Sequence, residues 1–311
     1  MAFGKTCLAT AALALLIGCT AAEAGPRRGG PDGLTEGTIT SGGTVRTYEM
    51  HRPDGLTGPA PLVIMLHGGG GNGKNGASMS GFNALADREG FTAVYPEGSG
   101  RTRLLTWNAG HCCAYAMRED VDDVGFLSDL IDDLVARGIA DPNRVYVTGM
   151  SNGAMMTHRV GRELSGKVAA IAPVVGAVFG DETPAAHPVP VLMITGAVDT
   201  HVPKEGGNGV FPKIVRGPPN DLPFAPAVAA FDDWMAANHC RGEAPLAASP
   251  GVYTLRQGAD CAAPVEWYEI AEGGHAWPGG QKGTRRGDTP VTSFDASEVI
   301  WDFFKAHTLG G

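Results

Sequence analysis

A serine flanked by glycines follows an apolar run that is typical of a β-strand. Ser151 lies in the pattern Gly-x-Ser-x-Gly, between Gly149 and Gly153, after the apolar stretch 145–148 and before a helix-forming segment. A serine hydroxyl is a weak nucleophile, so it needs an exposed position on a tight turn and a neighbouring base. Glycines permit such a turn because they lack a Cβ atom. The pattern also arises by chance in a chain with 46 glycines, but its strand-to-helix setting favours a nucleophile elbow with Ser151 as nucleophile.

A base and an orienting acid must follow this serine in the chain if the elbow is catalytic, in the order Ser, Asp or Glu, His. His275 lies in a glycine-rich loop directly after a predicted strand, and Asp199 follows another predicted strand. An aspartate there can hold the imidazole in the required tautomer. The alternatives are a surface histidine and a turn-capping aspartate. Asp181 and Glu182 are weaker candidates for the acid because they precede their strand.

A run of four glycines follows the first central strand, and its backbone N–H groups are free of side-chain obstruction. Gly69, or Gly68, is the expected donor from this run. With the N–H of Asn152 it would form an oxyanion hole for a tetrahedral intermediate. His67, which precedes the run, is interpreted as a structural residue beneath the loop.

Strands and helices alternate along the chain, which predicts an α/β fold with a mostly parallel sheet and helices on both faces. Such sheets bind ligands at the carboxyl ends of their strands, where Ser151, Asp199 and His275 all lie, so an α/β-hydrolase fold in a single domain is predicted. An antiparallel lead-in strand is predicted at 44–51. Central strands are predicted at 61–66, 91–95, 145–148, 168–172, 189–194 and 265–270, and helices at 79–89, 122–137, 152–164, 224–238 and 294–307.

The amino terminus carries the pattern of an export signal. Lys5 precedes a short apolar run that is too short to span a bilayer, and residues 1–24 would be removed at a small-residue site before Gly25. Alternatively, a lipoprotein signal covers 1–18 and Cys19 becomes lipidated. Either reading places the protein outside the cytoplasm, as an extracellular or periplasmic enzyme or an outer-membrane lipoprotein, with a disordered lead-in at 25–37 and the folded domain at 38–307.

Four cysteines follow this signal, and an exported protein can keep disulfides. Cys240 ends a predicted helix and Cys261 precedes a predicted strand, so we expect these two to pair. Cys112 and Cys113 would form a vicinal bridge or remain free thiols.

Several other functions are disfavoured. The net charge of -9 argues against a nucleic-acid surface, and no further segment predicts a membrane span. The glycine run nearly matches a phosphate-binding loop, but Asn75 stands where a Ser or Thr is required. No His and Cys cluster has zinc spacing, so no metal or other cofactor is predicted. Asp122 and Asp123 are interpreted as the start of a helix rather than as a second acidic site.

With these motifs assembled, the chain resembles the polyhydroxybutyrate depolymerase-like esterases, a group near the feruloyl and acetylxylan esterases of carbohydrate esterase family one. The likeness rests on several motifs in the right order between about residues 38 and 307, and they include the loop 67–70, the sequences at 107–110 and 112–113, the elbow, and 274–280. The resemblance implies a secreted serine esterase with Ser151, Asp199 and His275 as its triad.

The substrate follows less directly from the resemblance. Hydroxyalkanoate oligomers or polymer are the first expectation, with feruloyl or acetyl esters of plant polysaccharide as the alternative and acyl transfer as a second alternative. Trp107 and Trp277 are expected to line the substrate pocket. No arginine clamp is evident, so an anionic small-molecule substrate is not expected.

Overall fold

A computed structural model of the chain describes residue 1 and residues 33–210, 222–285 and 287–310. Apart from Met1, the predicted signal peptide at 1–24 lies outside the described residues, as do Cys19 and most of the predicted lead-in. No helix in the described part of the chain has both the length and the apolar character needed to cross a bilayer.

One sheet of eleven strands forms the centre of the fold. In spatial order the strands run β1, β2, β4, β3, β5, β6, β7, β11, β10 and β8, and β9 also pairs with β10. The strands β3 to β7 and β11 are parallel to their neighbours within this central group, whereas β1, β2 and β8 to β10 add antiparallel edges. Their bounds are β1 Thr35–Ser41, β2 Thr44–His51, β3 Ala60–Leu66, β4 Thr92–Pro96, β5 Ala140–Met150, β6 Ala170–Val174, β7 Val191–Gly196, β8 Gly242–Glu243, β9 Ala247–Ser249, β10 Tyr253–Ala259 and β11 Val265–Ile270.

Helices cover both faces of this sheet. The apolar sides of α4, α5 and α6 pack into one core, and those of α1, α2 and α7 pack into a second core on the opposite face. Every residue of β3, β4, β6 and β7 is buried, as expected for parallel strands covered on both faces. The predicted α/β architecture is therefore confirmed. The helices are α1 Gly73–Ser80, α2 Phe82–Glu89, α3 Ala114–Arg118, α4 Asp123–Ala136, α5 Asn152–Glu163, α6 Ala227–Ala237 and α7 Ala296–Lys305.

The edges of the sheet differ from the sequence prediction. Strand β1 begins at Thr35, three residues before the predicted start of the domain at 38, and pairs along its whole length with β2. Gly37 in this strand packs against the ring of Tyr48, which a side chain at that position would displace. Strand β10 is also absent from the prediction. Both strands alternate polar and small residues with few buried positions, so they lack the apolar runs that identify the central strands.

A buried ion pair joins strand β2 to the start of α4. Arg46 Nη2 donates to Asp123 Oδ1 at 2.8 Å, and the two side chains are 9% and 0% exposed. Asp123 Oδ2 also accepts from the backbone N–H of Asn108 at 2.8 Å. The neighbouring Asp122 has a different role, because its carboxylate caps α4 by accepting from Gly125 N at 2.8 Å. Asp123 therefore stabilises the interior, and only Asp122 acts as the predicted helix cap.

Replacing Asp123 with Ala should destabilise the protein strongly. The substitution leaves the Arg46 guanidinium buried without its carboxylate, which costs about 3–5 kcal/mol of unfolding free energy. Asp122→Ala is the matched control, since losing a helix cap costs only about 1 kcal/mol. Urea unfolding of the two variants measures the difference. If both variants lose the same free energy of unfolding, the buried pair of Arg46 and Asp123 contributes no more to stability than the helix cap.

Candidate active site

The chain turns sharply between β5 and α5, and Ser151 occupies the turn. Its backbone angles are φ 57° and ψ −121°, a conformation that side-chain-bearing residues rarely adopt. The turn is held by a hydrogen bond from Ser151 N to Val174 O at 3.1 Å. Gly149 and Gly153 pack backbone to backbone, since a Cβ on Gly149 would lie 2.6 Å from the carbonyl carbon of Gly153. This is the geometry that the predicted elbow requires.

The structure brings the three predicted triad residues into one hydrogen-bonded row. His275 Nε2 lies 2.8 Å from Ser151 Oγ, and His275 Nδ1 lies 2.8 Å from Asp199 Oδ2. The Asp199 side chain is fully buried, whereas 11% of the His275 side chain remains exposed. Such an arrangement lets the imidazole take the serine proton while the aspartate faces the resulting positive charge.

Each member of this row follows the carboxyl end of a parallel strand. Ser151 follows β5, Asp199 follows β7, and His275 follows β11, which pairs with β7 in parallel. The loops after β7 and β11 lie in close contact, because Gly273 approaches the Cα of Gly196 so closely that a Cβ on Gly273 would lie 3.0 Å from it. The carboxylate of Asp199 is fixed by its second oxygen, which accepts from the backbone N–H groups of His201 at 2.8 Å and Val202 at 2.9 Å.

The predicted oxyanion loop lies beside Ser151. Gly68 and Gly69 line the same cavity as Ser151, and a Cβ on Gly68 would lie 3.5 Å from the Cβ of Ser151. Asn152 is the first residue of α5, so its backbone N–H belongs to the helix end that has no partner in a preceding turn. Its side chain is tied down by Trp107, since Oδ1 accepts from Trp107 N at 2.7 Å and Nδ2 donates to Trp107 O at 3.1 Å.

His67 lies beneath this loop and is fully buried. Its Nε2 accepts a hydrogen bond from Gly98 N at 3.1 Å, so the ring proton lies on Nδ1, which donates to Gly68 O at 2.8 Å. Burial lowers the pKa of His67 to about 4, and the bond to Gly68 opposes this shift. His67 is therefore a neutral ring that positions the glycine loop.

A cavity of about 250 Å³ opens beside Ser151 and His275. Its lining residues are mostly small or apolar, and they are Gly68, Gly69, Gly71, Asn75, Met79, Met150, Ser151, His201, His275, Ala276, Gly283, Thr284, Gly287 and Asp288. The two methionines and the glycines leave room for a short acyl or alcohol group.

Neither Trp107 nor Trp277, which were predicted to line the substrate pocket, lies at the wall of the cavity beside Ser151. Both side chains are fully buried, at 0% exposure. Each indole N–H donates to a group in the interior: Trp107 to His67 O at 3.0 Å and Trp277 to Ser297 Oγ at 2.9 Å. The two indoles therefore shape the loops from within, and the prediction that they line the pocket is wrong for this conformation.

Two residues at the site were missed by the sequence analysis. Asp288 Oδ2 accepts the backbone N–H of His275 at 2.7 Å, and His201 stacks on the ring of His275 with centroids 4.8 Å apart. Burial lowers the pKa of His201, and the neighbouring His275 lowers it further. The sequence offered one signal for His201, which lies two residues after Asp199. It offered none for Asp288, because the spacing from His275 to Asp288 follows no motif.

The same residues contain the ligand types that bind metals. Ligand atoms of Asp199, His201 and His275 lie within 4.8 Å of one another. However, Asp199 and His275 already bond each other, so a cation would have to break that pair. The arrangement is better suited to proton transfer, and the absence of a metal cofactor stays a prediction.

The four cysteines among the described residues lie in two bonded pairs. Cys240 is bonded to Cys261, which joins the end of α6 to the segment before β11. Cys112 is bonded to its neighbour Cys113, and Cys112 Sγ lies 3.9 Å from Nδ2 of Asn152. The vicinal pair thus lies beside the residue that is expected to supply an oxyanion donor.

Comparison with known proteins gives one consistent family. The family model described as "Esterase PHB depolymerase" matches residues 47–202. The putative esterase NocK of Nocardia uniformis subsp. tsuyamanensis is 33% identical over 78% of this chain and 73% of its own length. Feruloyl esterase B of Piromyces equi is 30% identical over 83% of this chain, which spans only 44% of that longer protein.

The fold has solved counterparts. The acetyl xylan esterase from Aspergillus awamori superposes with a TM-score of 0.61 and covers 87% of this chain and 98% of its own, at 14% sequence identity. At this identity the likeness concerns the fold alone. It confirms the predicted α/β-hydrolase architecture.

The buried His67 should make stability depend on pH. At pH values above 6.5 the ring is neutral in both states, and as the pH falls toward 4 only the unfolded chain takes up the proton. The free energy of unfolding should therefore fall by about 1.4 kcal/mol per pH unit over this window from His67 alone. Urea unfolding of the wild type and His67→Gln from pH 8 to pH 4 should give a shallower decline for the variant. Parallel curves would contradict a neutral, buried His67.

Asp288 should act as a positioning residue for His275. Asp288→Ala removes the acceptor of the His275 N–H and should lower kcat about tenfold with little change in KM, because a hydrogen bond to a charged group contributes about 1.5–3 kcal/mol. Asp288→Asn keeps an acceptor oxygen and should recover most of the rate. We would measure kcat and KM for ester hydrolysis by both variants, together with their melting temperatures, to separate an effect on rate from an effect on stability. If the asparagine variant is as slow as the alanine variant, the hydrogen bond is not the cause.

Proposed function

Because the chain belongs to the PHB depolymerase family of esterases, we propose that it hydrolyses carboxylic esters through an acyl-enzyme formed on Ser151. The observation that carries the proposal is the row from Ser151 through His275 to Asp199, with both contacts at 2.8 Å. Esterase activity itself follows from the family.

The reaction proceeds in two halves. Ser151 Oγ attacks the ester carbonyl carbon while His275 Nε2 accepts the hydroxyl proton, and buried Asp199 stabilises the imidazolium. The carbonyl oxygen becomes an oxyanion that receives hydrogen bonds from the backbone N–H groups of Asn152 and of Gly69 or Gly68. The carbon–oxygen bond to the alcohol then breaks, and His275 returns the proton to the leaving alkoxide. In the second half water replaces the alcohol, and the acid is released.

The family and the cavity support the proposed substrate classes. Hydroxyalkanoate oligomers or polymer are the first candidates because the family model is named for a PHB depolymerase. Feruloyl or acetyl esters of plant polysaccharide are the second, because relatives with those names match the chain. A cavity of about 250 Å³ lined by small residues suits short acyl groups in either case.

The site of action is proposed to be outside the cytoplasm. The support is the leader pattern at residues 1–24, with release before Gly25 or lipidation at Cys19 as the two alternatives. The bonded pair Cys240 and Cys261 agrees with an oxidising compartment.

Removal of the nucleophile tests the mechanism. Ser151→Ala should lower kcat for p-nitrophenyl acetate by on the order of 10⁶-fold, and Asp199→Asn by about 10⁴-fold, because the asparagine favours the wrong imidazole tautomer. Ser249→Ala, a change in the edge strand β9, is the matched control and should retain full activity. Mass spectrometry of the wild type during turnover should detect an acyl group on Ser151. Substantial activity in Ser151→Ala would overturn the assignment.

A further inference from the structure

Two positively charged side chains border the opening of the catalytic cavity. Lys282 and Arg285 are exposed and lie directly beside the lining residues Gly283 and Thr284. This loop is anchored to the opposite wall, since Asn75 Nδ2 donates to Gly283 O at 2.5 Å. Within the described residues no carboxylate lies in ion-pair distance of either cation. Their charges are therefore exposed to solvent on the loop that supplies part of the cavity wall.

A second basic loop packs against the oxyanion loop. Gly70 N donates to Leu105 O at 2.7 Å, and Leu104 Cδ2 lies 3.7 Å from the position of a Cβ on Gly70. The same loop carries the exposed side chains of Arg101 and Arg103. Arg101 is partly neutralised by Glu119 at 3.3 Å, so Arg103 contributes the clearer positive charge.

The interior of the site has the opposite sign. Asp199 and Asp288 both contact His275, and the whole chain has a net charge of -9. A basic entrance is therefore a local reversal of the protein's charge. An anionic group on a substrate would be repelled by Asp288 inside the cavity but attracted at its edge, where Lys282 and Arg285 lie.

We propose that the entrance of the cavity recognises ester substrates that carry a carboxylate, through Lys282 and Arg285 with Arg103 on the loop that packs against Gly70. The proposal rests on the proposed ester hydrolysis at Ser151 and revises the expectation that anionic substrates are not used. The carboxylate has two chemical sources among the candidate substrates. It is the free acid end of a hydroxyalkanoate oligomer, or a uronate side group on an acetylated polysaccharide.

A matched pair of chromogenic esters tests the preference. The mono-p-nitrophenyl ester of suberic acid carries a carboxylate far enough from the scissile bond to reach the entrance and to avoid attacking its own ester, and its methyl-capped form is neutral with the same scissile bond. Wild-type enzyme at low ionic strength should favour the acid in kcat/KM, and the double variant Lys282→Gln/Arg285→Gln should reduce the acid-to-neutral ratio about fourfold. The effect should shrink below about twofold at about 0.5 M salt because exposed charges are screened.

A control variant removes two exposed positive charges at the end of the sheet where the parallel strands begin, away from Ser151. Arg241→Gln/Lys305→Gln makes the same change in net charge near the beginnings of β11 and β5, and it should leave the ratio unchanged. Equal loss in both double variants, or equal loss on both esters in the entrance variant, would overturn the proposal. No release from either ester by the wild type would instead count against the proposed function.

Natural substrates then distinguish the two sources. Preference for a hydroxybutyrate trimer acid over its amide supports the oligomer, and preference for acetylated glucuronoxylan over its carboxyl-reduced form supports the uronate. Loss of either preference in the entrance variant supports the proposal. If the variant loses only sedimentation with phosphatidylglycerol vesicles while every substrate ratio stays constant, the surface binds anionic lipid and the proposal is wrong.

Discussion

The close backbone packing at Ser151 is the constraint on which the rest of the site depends. Strand β5 is followed directly by α5, and this is possible only because Gly149 and Gly153 have no side chains and their backbones are in contact. Gly153 also packs against the carbonyl groups of β3 and of the loop after it. The positive φ of Ser151 costs on the order of 1–3 kcal/mol. That strain is opposed by hydrogen bonds on both sides of the turn, from Ser151 N to Val174 O and from Met155 N to Ser151 O.

A buried polar network extends this constraint outward from the elbow. Asn152 holds the backbone of Trp107 through two hydrogen bonds, and the Trp107 indole holds the carbonyl of His67 at the base of the glycine loop. The next residue, Asn108, is held through its backbone N–H by Asp123. Because each of these groups is buried and partnered, the loop beside Ser151 cannot shift without breaking interior hydrogen bonds. The core therefore fixes the proposed oxyanion donors as much as the loop does.

The central part of this design could be predicted from the sequence, for physical reasons. Strands buried on both faces are continuous apolar runs, and the positions of Asp199 and His275 after such runs place them at one sheet edge with Ser151. The antiparallel strand β10 could not be predicted, since a single buried position gives no apolar period. Asp288 acts through a main-chain contact that no spacing encodes. Trp107 and Trp277 were predicted to contact the substrate because they are aromatic residues in loops. Instead, their indole N–H groups donate to acceptors in the interior, and the sequence does not show where those acceptors lie.

The negative charges near His275 lie inside the site, whereas the positive charges are exposed on the loop around it, and the proposed ester hydrolysis accounts for this separation. In the proposed mechanism an imidazolium forms on His275 during acyl transfer, and the buried carboxylate of Asp199 with nearby Asp288 stabilises that positive charge where water is scarce. The same carboxylates would oppose any anion that came as deep as Ser151. For the proposed anionic substrates the negative charge therefore has to stay at the entrance, where solvent screens it from Asp288 and where Lys282 and Arg285 flank the lining residues in sequence. The basic entrance and the acidic interior therefore suit the same kind of substrate. Its reacting ester bond is neutral, and only its ends are charged.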